Sequence, residues 1–333
     1  MPNPKISILI VDDLHPCFFE QDFEGFEFTY LPNINAEDVP SALFNIHVLI
    51  VRSKVRVDEK LCINANKLQL VARAGSGVDN LDTDWLDSKG IKYINTPEAN
   101  SLAVAEQTLG MLISLLANIN KSNQEVKNKI WDREGNRGEE LSGKTVGIIG
   151  FGHTGSQFAK LLGGFDVKIL AYDKYKMGFG NFLVNETDMN QIMEEADIIS
   201  LHIPLTSETK NLIDISFINR LKKPIHLLNL SRGPIANLND VIIGLNNGKI
   251  KGLATDVLPN EKLNQLSEIE LEQFNDLSNR SNVIITPHIG GWTRQSYVKI
   301  SKSLAYKIRE FYNLKPPLLD TINETILRDP TVP

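Results

Sequence analysis

The chain has 333 residues, 42% of them hydrophobic and 23% charged, the make-up of an ordinary globular protein with length enough for two cores. Its formal net charge of −6 excludes a general attraction for nucleic acid or an anionic membrane, so an anionic small molecule would have to be met by locally placed Arg and Lys. Two cysteines, Cys17 and Cys62, are too few for a disulfide framework, stand in no metal-ligand spacing and suit a reducing compartment; no metal is expected.

The first apolar run, 6–11, is too short for a signal-peptide core and is followed at once by Asp12 and Asp13, so it reads as a strand of a cytoplasmic protein. A strand ending in paired acids also opens the receiver domains of response regulators. That fold needs a phosphorylatable aspartate at the end of a central strand, however, and the candidate strand 47–51 ends in Arg52 and Ser53. The run 68–72 reads as another buried strand and leads into Arg73-Ala-Gly-Ser-Gly-Val-Asp-Asn80. There, glycines on either side of Ser76 let successive N–H groups converge on an anion, or simply make an ordinary loop.

A short strand at 92–94 is broken by Asn95-Thr-Pro97, and a helix is expected over 101–120. Its apolar residues lie all round, which implies burial on several sides, and it would be about 30 Å long. The polar segment 121–140 reads as a surface excursion. The longest apolar stretch, 109–116, falls well short of the roughly 20 residues a membrane span requires.

The stretch 144–173 carries the most specific pattern. Residues 145–149 are a β-branched apolar run without polar alternation, as expected of a strand buried on both faces. Gly150, Gly152 and Gly155 then spell G-x-G-x-x-G. The first glycine makes a tight turn, the second admits a pyrophosphate to the main chain, and the third lets a helix starting near Thr154 pack close to the strand. A second strand, 167–172, ends at Asp173, 18 residues past Gly155. A carboxylate there accepts hydrogen bonds from an adenosine ribose and repels a 2′-phosphate, which favours NAD over NADP. Lys174 and Lys176 blunt that preference.

Further buried strands are expected at 198–202, 225–230, 253–257 and 283–286, a succession that describes a doubly wound sheet with ligands beyond the carboxyl ends of its strands. Three of those ends carry usable chemistry. Arg232 follows 225–230; a guanidinium can hold a carboxylate through two parallel hydrogen bonds and polarise a neighbouring carbonyl. Glu261 follows 253–257, with Asp256 inside that element, and His288 follows 283–286. A carboxylate beside a histidine fixes the ring and stabilises its charged form, a pairing suited to removing a hydroxyl proton. Singly these would be a surface cation and a satisfied core histidine; three complementary groups at successive strand ends make a site the better reading.

With these pieces in place the chain resembles the D-2-hydroxyacid dehydrogenase family over nearly its whole length. The matching motifs stand in order: RAGSGVDN, NTPEANSLAVAE, GKTVGIIGFGHTG, SLHIPLTSET, NLSRG, TDVLPNE and TPHIGGWT. The resemblance implies Arg232 as carboxylate anchor, His288 as general acid/base and Glu261 as its orienting partner. It also implies that Asp256 meets the nicotinamide carboxamide, that His153, Thr154, His202, Pro204 and Thr209 join the glycines and Asp173 around the cofactor, and that the Ser76-Gly77 backbone holds the substrate carboxylate. The nearest branch is the short relatives of D-3-phosphoglycerate dehydrogenase that lack a regulatory domain; Arg52, Ser53 and Lys54 would then face a distal phosphate, with Asn100 lining the same pocket. Lys262 and Asn237 depart from the family's usual residues, and the segment 262–282 is longer and more polar than usual.

The expected architecture is therefore α/β: two Rossmann-like doubly wound domains, with an NAD-binding domain (101–294) inserted into a flavodoxin-like substrate-binding domain (1–100 and 295–333). The expected activity is NAD-dependent interconversion of a D-2-hydroxy acid and its 2-oxo acid, most nearly that of D-3-phosphoglycerate dehydrogenase, in a homodimer. The alternatives are a hydroxypyruvate or glyoxylate reductase and, in a different class, a non-catalytic NAD-sensing module of corepressor type.

Overall fold

The computed structural model describes residues 5–314; the Pro-rich tail expected at 315–333 lies outside the described residues. The strands are β1 (Ile6–Ile10), β2 (Phe26–Tyr30), β3 (Val48–Val51), β4 (Leu70–Arg73), β5 (Lys92–Ile94), β6 (Thr145–Ile149), β7 (Lys168–Tyr172), β8 (Val184–Glu186), β9 (Ile198–Leu201), β10 (Ile225–Asn229), β11 (Ile250–Thr255) and β12 (Val283–Ile285). The helices are α1 (Val39–Ala42), α2 (Thr83–Ser88), α3 (Ser101–Leu116), α4 (Ile119–Lys127), α5 (His153–Leu162), α6 (Met189–Glu195), α7 (Ile215–Arg220), α8 (Leu238–Asn246), α9 (Glu268–Ser278) and α10 (Arg294–Phe311).

Among the described residues, 5–100 and 292–314 form one compact unit, and Ser101–Gly291 form another. The second boundary falls three residues earlier than the expected 294/295, because Trp292 packs under Arg52 and Thr293 caps α10 by accepting from the Ser296 N–H.

In the first unit β1 to β5 form a sheet in the order β2-β1-β3-β4-β5, parallel throughout, which is the flavodoxin-like order. Alternate residues of one strand enter different cores: Leu9, Leu49, Val51 and Val71 face one side, and Ile8, Ile10, Val48, Ile50 and Leu70 face the other, where Ile300, Leu304 and Ile308 of α10 cover them. Burial on both faces explains the unbroken apolar runs.

In the second unit the parallel sheet runs β12-β11-β10-β9-β6-β7-β8. The strand order reverses between β6 and β9, the point at which a doubly wound sheet opens a crevice beyond its strand ends. Helix α5 packs on the β6 side through Phe158 and Leu162, both 0% exposed, and each such side chain contributes about 2 kcal/mol by leaving water.

Several local expectations differ from the fold. The long helix stops at Leu116, and after a turn with Asn118 at φ 53° the chain bends by 63° into α4. Asparagine tolerates that left-handed conformation, so the helix is about 24 Å long rather than about 30 Å. Asp256 lies just beyond β11 rather than inside the strand. The edge strands β2 and β8 were not expected, and the polar segment 262–282 contains α9, started by a reciprocal pairing of Ser267 and Glu270.

Candidate active site

Beyond the end of β6 the chain turns sharply into α5. Gly150 has φ +95°, and a Cβ on it would lie 2.3 Å from the His202 carbonyl oxygen; a Cβ on Gly155 would lie 2.1 Å from the Gly150 oxygen. Both positions require glycine for the backbone to close. Gly152 is different: a Cβ there would meet nothing within 4 Å, so the space in front of the helix is open. No side chain caps the first turn of α5, and its N–H groups with the positive end of the helix dipole face that space. An open glycine in front of an uncapped helix start fits a dinucleotide pyrophosphate.

Asp173, just beyond β7, accepts hydrogen bonds from the Phe151 N–H at 2.8 Å through one oxygen, and from the Tyr175 and Lys176 N–H groups through the other. It thus ties the two strand ends together while keeping lone pairs for a ribose. The two lysines beside it are engaged: Lys174 pairs with Glu208 at 2.7 Å, and Lys176 donates to the Phe151 carbonyl at 3.0 Å.

At the ends of β10, β11 and β12 stand the three groups read from the sequence. His288 Nδ1 lies 2.9 Å from each oxygen of the Glu261 carboxylate. Both side chains are nearly half exposed, so as an ion pair they are worth only about 0–1 kcal/mol; the contact orients the ring more than it stabilises the fold. Nδ1–H donates to the carboxylate, which leaves Nε2 with its lone pair. Arg232 donates from Nη1 to the Ser231 carbonyl at 2.7 Å, and the Asn229 amide donates to the Arg232 carbonyl at 3.0 Å. A Cβ on Gly233 would fall 2.1 Å from the Leu258 backbone, so the Arg232 turn packs directly on the segment that leads to Glu261.

His288 itself has φ +52°, a left-handed conformation that costs a non-glycine residue about 1–2 kcal/mol. Asp256 supplies the compensation. Its carbonyl accepts from the His288 N–H at 2.9 Å, and its carboxylate accepts from the Ile289 N–H at 3.0 Å and the Gly290 N–H at 2.6 Å. Hydrogen bonds to a charged acceptor are worth about 1.5–3 kcal/mol each, enough to hold the turn.

A glycine turn on an open helix start and a histidine–carboxylate pair on the same sheet narrow the possibilities to few families. Residues 109–290 match the family model described as D-isomer specific 2-hydroxyacid dehydrogenase, NAD binding domain. The chain belongs to the D-isomer-specific 2-hydroxyacid dehydrogenase family. A D-3-phosphoglycerate dehydrogenase of Dictyostelium discoideum is 33% identical over 315 residues, covering 94% of this chain and 76% of that protein. The Bacillus subtilis protein of the same name is 33% identical over 304 residues, covering 89% of this chain; the chain spans only 55% of that relative's length. Among solved structures, the D-lactate dehydrogenase of Aquifex aeolicus in complex with NAD and lactic acid superposes with a TM-score of 0.79 at 25% identity, covering 92% of this chain and 95% of that one.

As a member of this NAD-binding dehydrogenase family, the chain places the remaining candidate residues unevenly. Thr154 and the exposed His153 sit on the first turn of α5. The His202 ring bonds Ser200 Oγ at 2.8 Å and packs against Phe158, and burial pushes its pKa down to about 3, so the ring stays neutral and its backbone alone fronts the glycine turn. Thr209 donates to the Pro204 carbonyl at 2.6 Å and closes the 204–209 turn. In the other unit Ser76 Oγ donates to Asn100 Oδ1 at 2.7 Å, and the Asn95 amide donates to the Ser76 carbonyl at 2.6 Å, so Ser76 is braced by Asn95 and Asn100, with Gly77 next to it in the chain. The Arg52 guanidinium lies 4.4 Å from the centre of the Trp292 ring and 5.6 Å from that of Tyr297; Ser53 is exposed next to it. Lys54 turns away and donates to the Pro32 carbonyl, contrary to its expected place beside Arg52.

Sequence reading missed Gln107, Thr286 and Trp292. The first two meet Asp256 across 149 and 30 residues of chain, and no spacing rule pairs them. Trp292 stands in the TPHIGGWT motif, but nothing local says that its ring will carry a guanidinium.

Proposed function

We propose that this chain is an NAD-dependent dehydrogenase that interconverts a D-2-hydroxy acid and its 2-oxo acid, and that the acid is of the 3-phosphoglycerate type. The observation that carries the reading is the His288–Glu261 pair at 2.9 Å, placed with Arg232 beyond neighbouring strand ends of an NAD-binding domain. In the oxidising direction Arg232 holds the substrate carboxylate and polarises the oxygen on C2. His288 Nε2 takes the hydroxyl proton while Glu261, on Nδ1, stabilises the imidazolium that forms. NAD, when bound at the glycine turn, supplies the acceptor for the hydride leaving C2. In the reducing direction His288 returns the proton to the developing alkoxide.

The phosphate assignment rests on Arg52. The guanidinium lies over an indole ring that helps to hold it in place, and a guanidinium is the cation best matched to a phosphate. The relatives named D-3-phosphoglycerate dehydrogenase agree with it. Apolar side chains on and after α4, among them Ile119, Val126, Ile130 and Trp131, are at least half exposed, and covering them supports a homodimer of the cytoplasmic enzyme; a monomeric mass by light scattering would remove that part of the reading.

The experiment is NADH oxidation by the purified protein with phosphohydroxypyruvate, hydroxypyruvate and glyoxylate, repeated with Arg52→Gln. A preference for the phosphorylated acid that collapses in the variant is the expected result. Equal rates with the unphosphorylated acids make it a general hydroxyacid reductase, and binding of NADH without turnover of any of them makes it a cofactor-sensing module.

A further inference from the structure

The buried carboxylate of Asp256, 1% exposed, receives more than the backbone of the His288 turn. Gln107, on α3, donates from its amide nitrogen to Asp256 Oδ1 at 3.1 Å and to Thr286 Oγ1 at 3.2 Å. Thr286 Oγ1 donates a hydrogen bond to the same Asp256 oxygen. The two acceptors lie side by side, so the amide nitrogen serves them together, with Met111 Sδ at 3.8 Å as a further neighbour. Thr286 Oγ1 thus accepts from Gln107 while it donates to Asp256, and the amide donor on its oxygen favours the hydroxyl rotor that points to the carboxylate rather than to Met111 Sδ at 3.7 Å. The three side chains therefore form a closed triangle, and its products are the Ile289 and Gly290 hydrogen bonds that hold His288 at φ +52°.

The turn also has little room to settle elsewhere. A Cβ on Gly290 would lie 2.7 Å from Asp256 Oδ2, so the turn lies directly against that carboxylate, with Val104 Cγ1 of α3 at an ordinary contact distance of 3.8 Å. The Ile289 and Gly290 N–H groups both rest on the Asp256 carboxylate, so rotation of that carboxylate acts on the turn directly. That rotation would release Ile289 and Gly290 together and let the His288 backbone relax out of the left-handed region, carrying the ring away from Glu261.

We propose that Gln107 is a positioning residue for His288: by locking Asp256 and Thr286 it fixes the left-handed turn that presents the imidazole. This rests on the reading of His288 as the acid/base group. It assigns to α3 a part in the chemistry that Gln107 plays through Asp256 and Thr286. A leucine at 107 leaves Thr286 Oγ1 and Asp256 Oδ1 each one donor short. A glutamate of the same shape sets a second carboxylate against Asp256, whereas a histidine restores a donor at nearly the same reach.

The test compares Gln107→Leu, Gln107→Glu and Gln107→His with the parent protein in two measurements. The first is steady-state turnover. Gln107→Leu and Gln107→Glu should lower kcat by about 10- to 100-fold, the scale of a reacting group displaced by about 1 Å, with the KM for the 2-oxo acid within about threefold, and Gln107→His should recover most of the loss. The second is the NMR signal of the His288 ring in the ligand-free protein with carbon-13-labelled histidine, assigned with His288→Gln. It should move in the leucine and glutamate variants and return in the histidine variant. If either donor-less variant folds with the parent kcat, or leaves the His288 resonance in place, the proposal is wrong. If Gln107→Leu fails to fold, the isosteric Gln107→Glu decides by the same criteria. If the parent protein turns over no 2-oxo acid, the acid/base reading falls, and the ring resonance still decides whether Gln107 sets the turn.

Discussion

His288 Nδ1 stands 2.9 Å from both oxygens of Glu261, an even placement that holds the ring in one plane and commits the proton on Nδ1 to the carboxylate. The lone pair is then on Nε2, where a hydroxyl proton can be taken or returned. Replacing His288 by alanine should lower turnover by about 10²- to 10⁴-fold with little change in NADH affinity. Glu261→Gln keeps an acceptor on Nδ1 but loses the negative charge, so its deficit should be clearly smaller than that of His288→Ala and should appear in kcat. Steady-state kinetics with NADH titration checks both; turnover of His288→Ala within a factor of a few of the parent would remove His288 from the mechanism.

The glycine turn separates folding from binding. Gly150→Ala forces a side chain into the His202 carbonyl and a φ of +95°, so it should lower stability together with cofactor binding. Gly152→Ala adds a methyl group to open space and asks for no unusual backbone angle, so the thermal midpoint should stay within about a degree or two while NADH affinity falls about tenfold or more. Thermal unfolding without cofactor and fluorescence titration with NADH read the two effects independently. Parent-like NADH affinity in Gly152→Ala would mean that the pyrophosphate does not lie over this turn.

A third expectation concerns acid stability. His226 on β10 is 7% exposed, and burial pushes its pKa down to about 4, well below the ordinary value near 6.5. The unfolded chain therefore takes up a proton before the folded one does. The stability that His226 contributes as a neutral group is complete above about pH 6.5 and is lost as the pH falls toward 4; between pH 7 and pH 5 the loss is on the order of 2 kcal/mol. His202, pushed down to about 3 by burial, adds a loss of the same sign. Urea unfolding of the parent and of His226→Gln at the two pH values should show a shallower pH dependence in the variant; identical slopes would mean that His226 is not buried neutral.

Much of this architecture is legible in the sequence, for local reasons. Strands buried on both faces appear in sequence as unbroken β-branched runs, and so β3, β6, β7, β9 and β10 were placed to within one or two residues. The edge strands β2 and β8 have one partner strand each and mixed residues, and they went unread. Helix α9 did carry a signal: Ser267 is followed three residues later by Glu270, a start motif hidden by the polarity around it.

What the sequence by itself determined is the part that lives in short segments: parallel strands, a glycine turn that can only close with glycine at 150 and 155, an acid just beyond β7, and Arg232, Glu261 and His288 beyond strand ends. What only the tertiary structure decided is which side chains meet. Gln107 reaches Asp256 because α3 packs beside β11, Trp292 comes to lie under Arg52 because the chain returns to its first unit, and Lys54 is drawn off by the Pro32 carbonyl. The physical reason is range: secondary structure and turns follow from interactions within a few residues, whereas a hydrogen bond between groups 149 residues apart depends on how whole elements pack.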